Sequence, residues 1–170
     1  MRQVSQSGSA AIAACQGADY NFNYNDFAVE SATLDVRQRV TAQLLEHGVR
    51  PTGQRVEIAM LVLTRPCHFS ADQLLVTLRR AGSGVSKATV YNTLNLFSRK
   101  GLVREIAVDP QRLMYDSTTR PHHHFYNAAT GELTDINPAE LRLSRLPLLP
   151  RATEAESVEV VIRVRPKPAG

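Results

Sequence analysis

Cysteine is scarce in this 170-residue chain: Cys15 and Cys67 are the only two, and they are not spaced as a ligand pair. Two cysteines at this length argue against a disulfide-stapled secreted scaffold and point to a cytoplasmic protein. No run of about 18 apolar residues occurs, which excludes a membrane-spanning helix. The first thirty residues lack a basic start followed by an apolar run, so no signal peptide is expected. There is no internal repeat. Core material is not lacking, since 43% of the residues are hydrophobic.

A further absence is local. No acidic residue lies between Val85 and Leu102. The net charge of +4 is unevenly spread: residues 34–107 hold eleven Lys/Arg against five Asp/Glu, whereas residues 108–170 hold eight of each. A basic surplus confined to one segment is the footprint of phosphate binding, or of an ordinary solvated face.

Residues 1–30 are rich in Ala, Ser, Gln and Asn and read as a flexible N-terminal arm. From Leu34 the pattern turns helical, with Leu34, Val40, Leu44 and Leu45 as a stripe ending at His47-Gly48. A second apolar helix runs through Val56, Ile58, Ala59, Leu61 and Val62 and stops near Arg65-Pro66. Ser70 and Gln73 have capping-box spacing and open a third helix through Leu74, Leu75 and Leu78. A fourth starts near Ser86 and ends at Lys100-Gly101. Two β-like runs, Leu102–Val108 and Leu113–Ser117, flank a turn and form a hairpin. Short helices followed by a hairpin give a winged helix-turn-helix over 31–118.

Residues 119–170 differ in character. Two short strands are expected over 123–127 and 132–136, a short helix from Pro138 to Leu146, and a strand whose better buried face is Val158, Val160, Ile162 and Val164. The fold class is therefore α+β, a winged helix followed by a small α/β unit. That unit is too small to stand alone comfortably, which favours a dimer.

On the fourth helix, Val90, Leu94 and Phe97 fall on one side and Lys87, Tyr91, Asn92, Asn95, Ser98 and Arg99 on the other. Lys87 and Arg99 suit phosphates, Asn92 and Asn95 suit base edges, and Tyr91 suits a thymine methyl or a phosphate. Ordinary amphipathic surface helices share the pattern but usually carry Glu. In His122-His123-His124, the first and third imidazoles share one strand face, as two ligands of one metal would. With His68, Asp116 and Asp135 they form a nitrogen/oxygen set suited to Fe(II), Mn(II) or Zn(II). A surface His run with no function reads the same way.

Ala88-Thr89-Val90-Tyr91, the Leu94 to Phe97 step and Gly101-Leu102-Val103 resemble the recognition-helix signature of the ferric uptake regulator (Fur) superfamily. Arg50-Pro51-Thr52 with Gln54-Arg55, and His68-Phe69-Ser70-Ala71 with Leu74, resemble the starts of its second and third helices. The resemblance covers roughly residues 34–165. It implies a homodimeric repressor, in some assemblies a tetramer, on a double-stranded DNA operator, with Tyr91 and Arg55 as DNA contacts. Asn92 stands where some members carry Arg, so the operator is expected to differ.

The same resemblance implies a hinge metal held by His68, Asp116, His122 and His124, with Asp135 as the fifth ligand in the pattern of the peroxide-sensing branch (PerR). The CxxC pairs of a structural zinc are missing: Asn127-Ala128-Ala129-Thr130 stands in place of the first, and no cysteine lies near Arg163-Val164-Arg165-Pro166. A structural zinc is accordingly not expected. These losses, the triple His before Phe125, Asp135-Ile136 and Val160-Val161-Ile162-Arg163 resemble the iron response regulator (Irr) branch, which implies haem sensing through His122, His123 and His124. The expected function is a DNA-binding regulator of iron or haem homeostasis. A peroxide-sensing repressor is the alternative within the class. A small metallohydrolase is the alternative outside it, but would leave the basic Tyr/Asn helix without a role.

Overall fold

The computed structural model describes residues 27–109 and 112–167, with side chains from Leu34 onward except at positions 109 and 112. The arm expected over 1–30 falls outside the described residues as far as position 26, and Cys15 with it. Helical backbone already begins at Phe27, inside the segment assigned to that arm. The chain divides into two compact units, one running to Thr119 and one from Arg120 onward.

The first unit runs α1 (Phe27–Glu46), α2 (Gly53–Val62), β1 (His68–Ser70), α3 (Ala71–Arg80), α4 (Lys87–Arg99), β2 (Arg104–Asp109) and β3 (Arg112–Asp116). Three of its helices start on a hydroxyl cap. Thr52, Ser70 and Ser86 accept from the backbone N–H of Arg55, Gln73 and Thr89, satisfying amides that the first turn leaves unpaired. At Ser70 the box is complete, since the Gln73 side chain accepts from the Ser70 N–H at 2.7 Å. α4 ends at Gly101, whose φ of +70° is open to glycine at little cost. That turn lets the Leu102 N–H reach the Phe97 carbonyl at 2.9 Å and sends the chain into β2.

The core of this unit is apolar. Leu44, Ile58, Leu78, Val90, Leu94 and Phe97 are almost fully buried, and the helices close over a three-stranded sheet ordered β1-β3-β2. Phe69 on β1 stacks on Tyr115 on β3 with ring centroids 5.7 Å apart, pinning the strand that leads into α3. This is a winged helix-turn-helix, and the chain is α+β. β1 is an addition to the sequence reading. Three residues carry too little periodicity to announce a strand, and the partner strand lies far along the chain. Leu34 and Leu45, expected in the α1 stripe, are exposed; Val40 and Leu44 supply the buried contacts of α1.

The second unit holds β4 (His123–Asn127), β5 (Leu133–Ile136) and β6 (Val161–Val164) in the order β5-β4-β6, with β6 parallel to β4. The helix expected over Pro138–Leu146 does not form. Asn137 instead closes a turn, its carbonyl and side chain accepting from the N–H groups of Glu140 and Ala139, and 141–150 has no regular structure. Nine residues form a marginal helix at best, Pro147 disfavours helical backbone at Leu146, and half-exposed Leu143 and Leu146 find no core to bind. The expected buried face of the last strand forms only in part: Val158 and Val160 are half-buried, whereas Ile162 and Val164 are exposed within the chain, as is Val161 on the other face. No helix among the described residues is long and apolar enough to cross a membrane.

The α1 register is tested by two neighbouring truncations. Leu44→Ala removes a fully buried side chain and should cost about 2–5 kcal/mol. Leu45→Ala removes an exposed one and should stay within about 0.5 kcal/mol. Urea unfolding of both variants measures the difference.

Candidate nucleic-acid interface and metal centre

With Val90, Leu94 and Phe97 fully buried, the 3.6-residue period turns the opposite side of α4 to solvent. Lys87, Tyr91, Asn92, Asn95 and Arg99 are all exposed there. Arg55 is half-buried at the start of α2, where its guanidinium donates to the Arg50 carbonyl at 2.9 Å. Arg55 and Asn92 line one shallow hollow with Thr52, Gln54, Thr89 and Thr93. The hollow therefore joins the start of α2 to the polar face of α4. Gln54 and Thr89 were not singled out from the sequence, though both stand beside residues that were.

A carboxylate also belongs to this face. Asp72, in the first turn of α3, accepts from the Tyr91 hydroxyl at 3.2 Å and from the Lys87 ammonium at 3.1 Å, both on Oδ1. Lys87 lies 5.4 Å from the centre of the Tyr91 ring. The Lys87 bond, then the Tyr91 bond, hold the Asp72 carboxyl below the usual carboxylate range. The Asp72 bond and charge in turn raise the Lys87 ammonium. Sequence inspection could not link residues so far apart on two helices.

The metal-donor candidates fall into two groups, one in each unit. In the first unit, the β1–β3 register sets His68 opposite Asp116, with His68 Nε2 3.8 Å from Asp116 Oδ1. Asp116 is fully buried and accepts the Thr118 N–H at 2.7 Å, which aims its carboxylate. In the second unit, the β4–β5 register sets His124 opposite Asp135. Asp135 Oδ1 lies 3.1 Å from His122 Nε2 and 3.7 Å from His124 Nε2, and the centroids of the two imidazole rings are 4.3 Å apart. Donors sharing one ion through bonds of about 2.1 Å lie roughly 3–3.5 Å from each other, so the His122–Asp135 pair already has that spacing and His124 lies just beyond it. His122 Nδ1 is 2.9 Å from the Arg120 carbonyl. A carbonyl only accepts, so Nδ1 donates there, an outer-shell contact of the kind that orients ligating histidines.

His123 does not join them. Its Nδ1 accepts the Val160 N–H at 3.2 Å and so fastens the entry to β6 on the other side of β4. The three consecutive imidazoles, expected together as a haem site, thus split two to one by the alternation of the strand.

The ferric uptake regulator family model matches residues 46–160. The chain belongs to the ferric uptake regulator family. Among curated proteins it is 28% identical, over 66% of its own length and 76% of the relative's, to the peroxide-responsive repressor PerR of Staphylococcus aureus strain USA300. Among solved structures it resembles the ferric uptake regulator of Pseudomonas aeruginosa with manganese: 27% identity, 75% of this chain and 97% of that one, TM-score 0.57. The ferric uptake regulator of Vibrio cholerae shares the fold at 22% identity, covering 73% of this chain and 98% of its own, with a TM-score of 0.54. The chain is thus a Fur-family, metal-responsive transcription regulator.

In this Fur-family chain the state of Asp72 is directly measurable. Its folded pKa is depressed, so its small contribution to stability is present at neutral pH and lost as pH falls through the folded value. Carbon-detected NMR titration should find the Asp72 carboxyl below the ordinary carboxylate range, and Lys87→Ala should move it upward.

Proposed function

We propose that this protein is a homodimeric repressor that reads a double-stranded operator through α4 and responds to one divalent ion, Fe(II) or Mn(II). The observation that carries the reading is that each unit holds one part of a single type of donor set, each part aligned by strand register. His68 and Asp116 are the proposed ligands on the DNA-binding unit, 31–118 in this division. His122, His124 and Asp135 are those on the sensing and dimerising unit, 119–170. Three imidazoles with two carboxylates suit these borderline-hard cations. A bound divalent ion would supply positive charge and bonds of fixed length. Ligands drawn from both units couple metal occupancy to operator affinity, because the ion favours one set of unit orientations over the others.

Within the DNA-binding unit, Arg55, Lys87 and Arg99 take phosphates, Asn92 and Asn95 address base edges, and Tyr91 serves either role. A second copy of the chain is the fitting cover for exposed β6 and for Leu148, which is 95% exposed. Unpaired apolar edges of this kind are otherwise sites of aggregation. Operation in the cytoplasm follows from a DNA target.

Two experiments test the reading. Tyr91→Ala or Asn92→Ala should each cost about 1–3 kcal/mol at the operator if the side chain reads a base, measured by gel-shift titration. Unchanged affinity in both would remove α4 from the interface.

For the metal, His68→Ala, Asp116→Ala and His124→Ala should each weaken Mn(II) binding by more than about tenfold, the least expected where even outer-shell changes matter. His123→Ala should leave it intact. Parent-like Mn(II) affinity in the three ligand variants would place the effector elsewhere. Haem, the alternative effector proposed from the Irr resemblance, needs His122 or His124 because His123 is committed to Val160. Haemin should therefore displace Mn(II), and simultaneous binding would exclude a shared site.

A further inference from the structure

Asp72 has no role in the functions described so far, yet it engages two of the residues assigned to DNA. Its Oδ1 receives the Lys87 ammonium at 3.1 Å and the Tyr91 hydroxyl at 3.2 Å. Lys87 and Asp72 remain 61% and 67% exposed, so water competes for both ends and the pair adds little to fold stability. Its consequence lies in what it does to the two donors.

One anionic oxygen accepting an N–H and an O–H from a helix surface is the arrangement a DNA phosphate oxygen would make with the same two side chains. The site is suited to an anion in another respect. α4 has no acidic residue in its first turn, so the positive end of its backbone dipole and Lys87 add together there. Asp72, reaching across from α3, supplies the missing negative charge.

We infer that Asp72 is a specificity-determining residue of the DNA interface: its carboxylate stands in for a backbone phosphate and releases Lys87 and Tyr91 to DNA that brings a phosphate to the same point. This rests on the reading of α4 as the DNA-contacting helix. On arbitrary DNA the exchange returns little, because a misplaced phosphate meets a lysine already neutralised and a carboxylate that repels it. That trims the sequence-independent part of the affinity, which comes from phosphate neutralisation. At the operator, base contacts from Asn92 and Asn95 hold the helix in register and the phosphate arrives where the carboxylate was. In free protein the same contact keeps the Tyr91 ring and the Lys87 chain in a single arrangement, so less side-chain freedom is lost on docking.

The test uses the full-length, metal-loaded protein, an operator selected by that protein from random duplexes, and a non-cognate duplex of equal length. Asp72→Asn keeps an acceptor for the Tyr91 hydroxyl and removes the charge. It should bind the non-cognate duplex roughly tenfold more tightly, the scale of one charge-assisted contact. Operator affinity should change less, so the specificity ratio falls. The non-cognate log–log salt slope should steepen by up to about 0.9 per protomer. Asp72→Glu should retain the parent ratio, and the gain from Asp72→Asn should vanish in a Lys87→Ala background. An unchanged ratio and slope in Asp72→Asn, with Tyr91→Ala still defective at the operator, overturns this inference alone. Parent-like DNA binding by Tyr91→Ala overturns both it and the reading beneath it. Melting curves of each variant separate these outcomes from unfolding.

Discussion

The burial of Val90, Leu94 and Phe97 is the constraint on which the exposed polar face of α4 depends. Three side chains with no exposure fix the rotation of α4 about its own axis. A turn of one residue, 100°, would carry Tyr91 into the core and bring an apolar side chain out. Rotation is therefore set by many weak dispersion contacts and by water exclusion, not by any polar bond. The polar face is what the core leaves over. Its composition is not dictated by the core, because its members Lys87, Tyr91, Asn92, Asn95 and Arg99 are exposed.

The donor groups obey a second, simpler rule. On a strand, neighbours face opposite ways. That places His122 and His124 beside Asp135 and sends His123 to the Val160 amide. Antiparallel register then supplies each partner: Asp135 for His124 in one sheet, Asp116 for His68 in the other. A one-residue slip in either ladder would separate imidazole from carboxylate, so sheet register and donor geometry are a single property.

Much of this was legible beforehand, and for a physical reason. The three hydroxyl-capped helices and the hairpin are specified by signals within a few residues of themselves: Ser70 with Gln73, Gly101 after Lys100, and the 3.6-residue spacing of Val90, Leu94 and Phe97. What escaped depended on partners distant in sequence or on absent ones. β1 exists because β3 lies beside it. Asp72 matters because α4 lies beside α3. The expected helix over 138–146 had the composition for a helix but no surface to pack on, and Pro147 stood against its end. The expected inward face of β6 is alternation without a core to receive it within one chain. Locally encoded structure can be read from residues alone; structure that depends on contact needs the contact.

β1 and α3 have no linker between them. Ser70 is at once the last residue of the strand and the cap of the helix, fastened on one side to Met114 by the ladder and on the other to Gln73 by the reciprocal bonds of its capping box. A loop would contain free dihedral angles and absorb small displacements. Here no loop intervenes, and His68 sits two positions before the Ser70 cap of α3. Strand and helix share Ser70 as a single joint, so the position of the His68 imidazole and the start of α3 are set together.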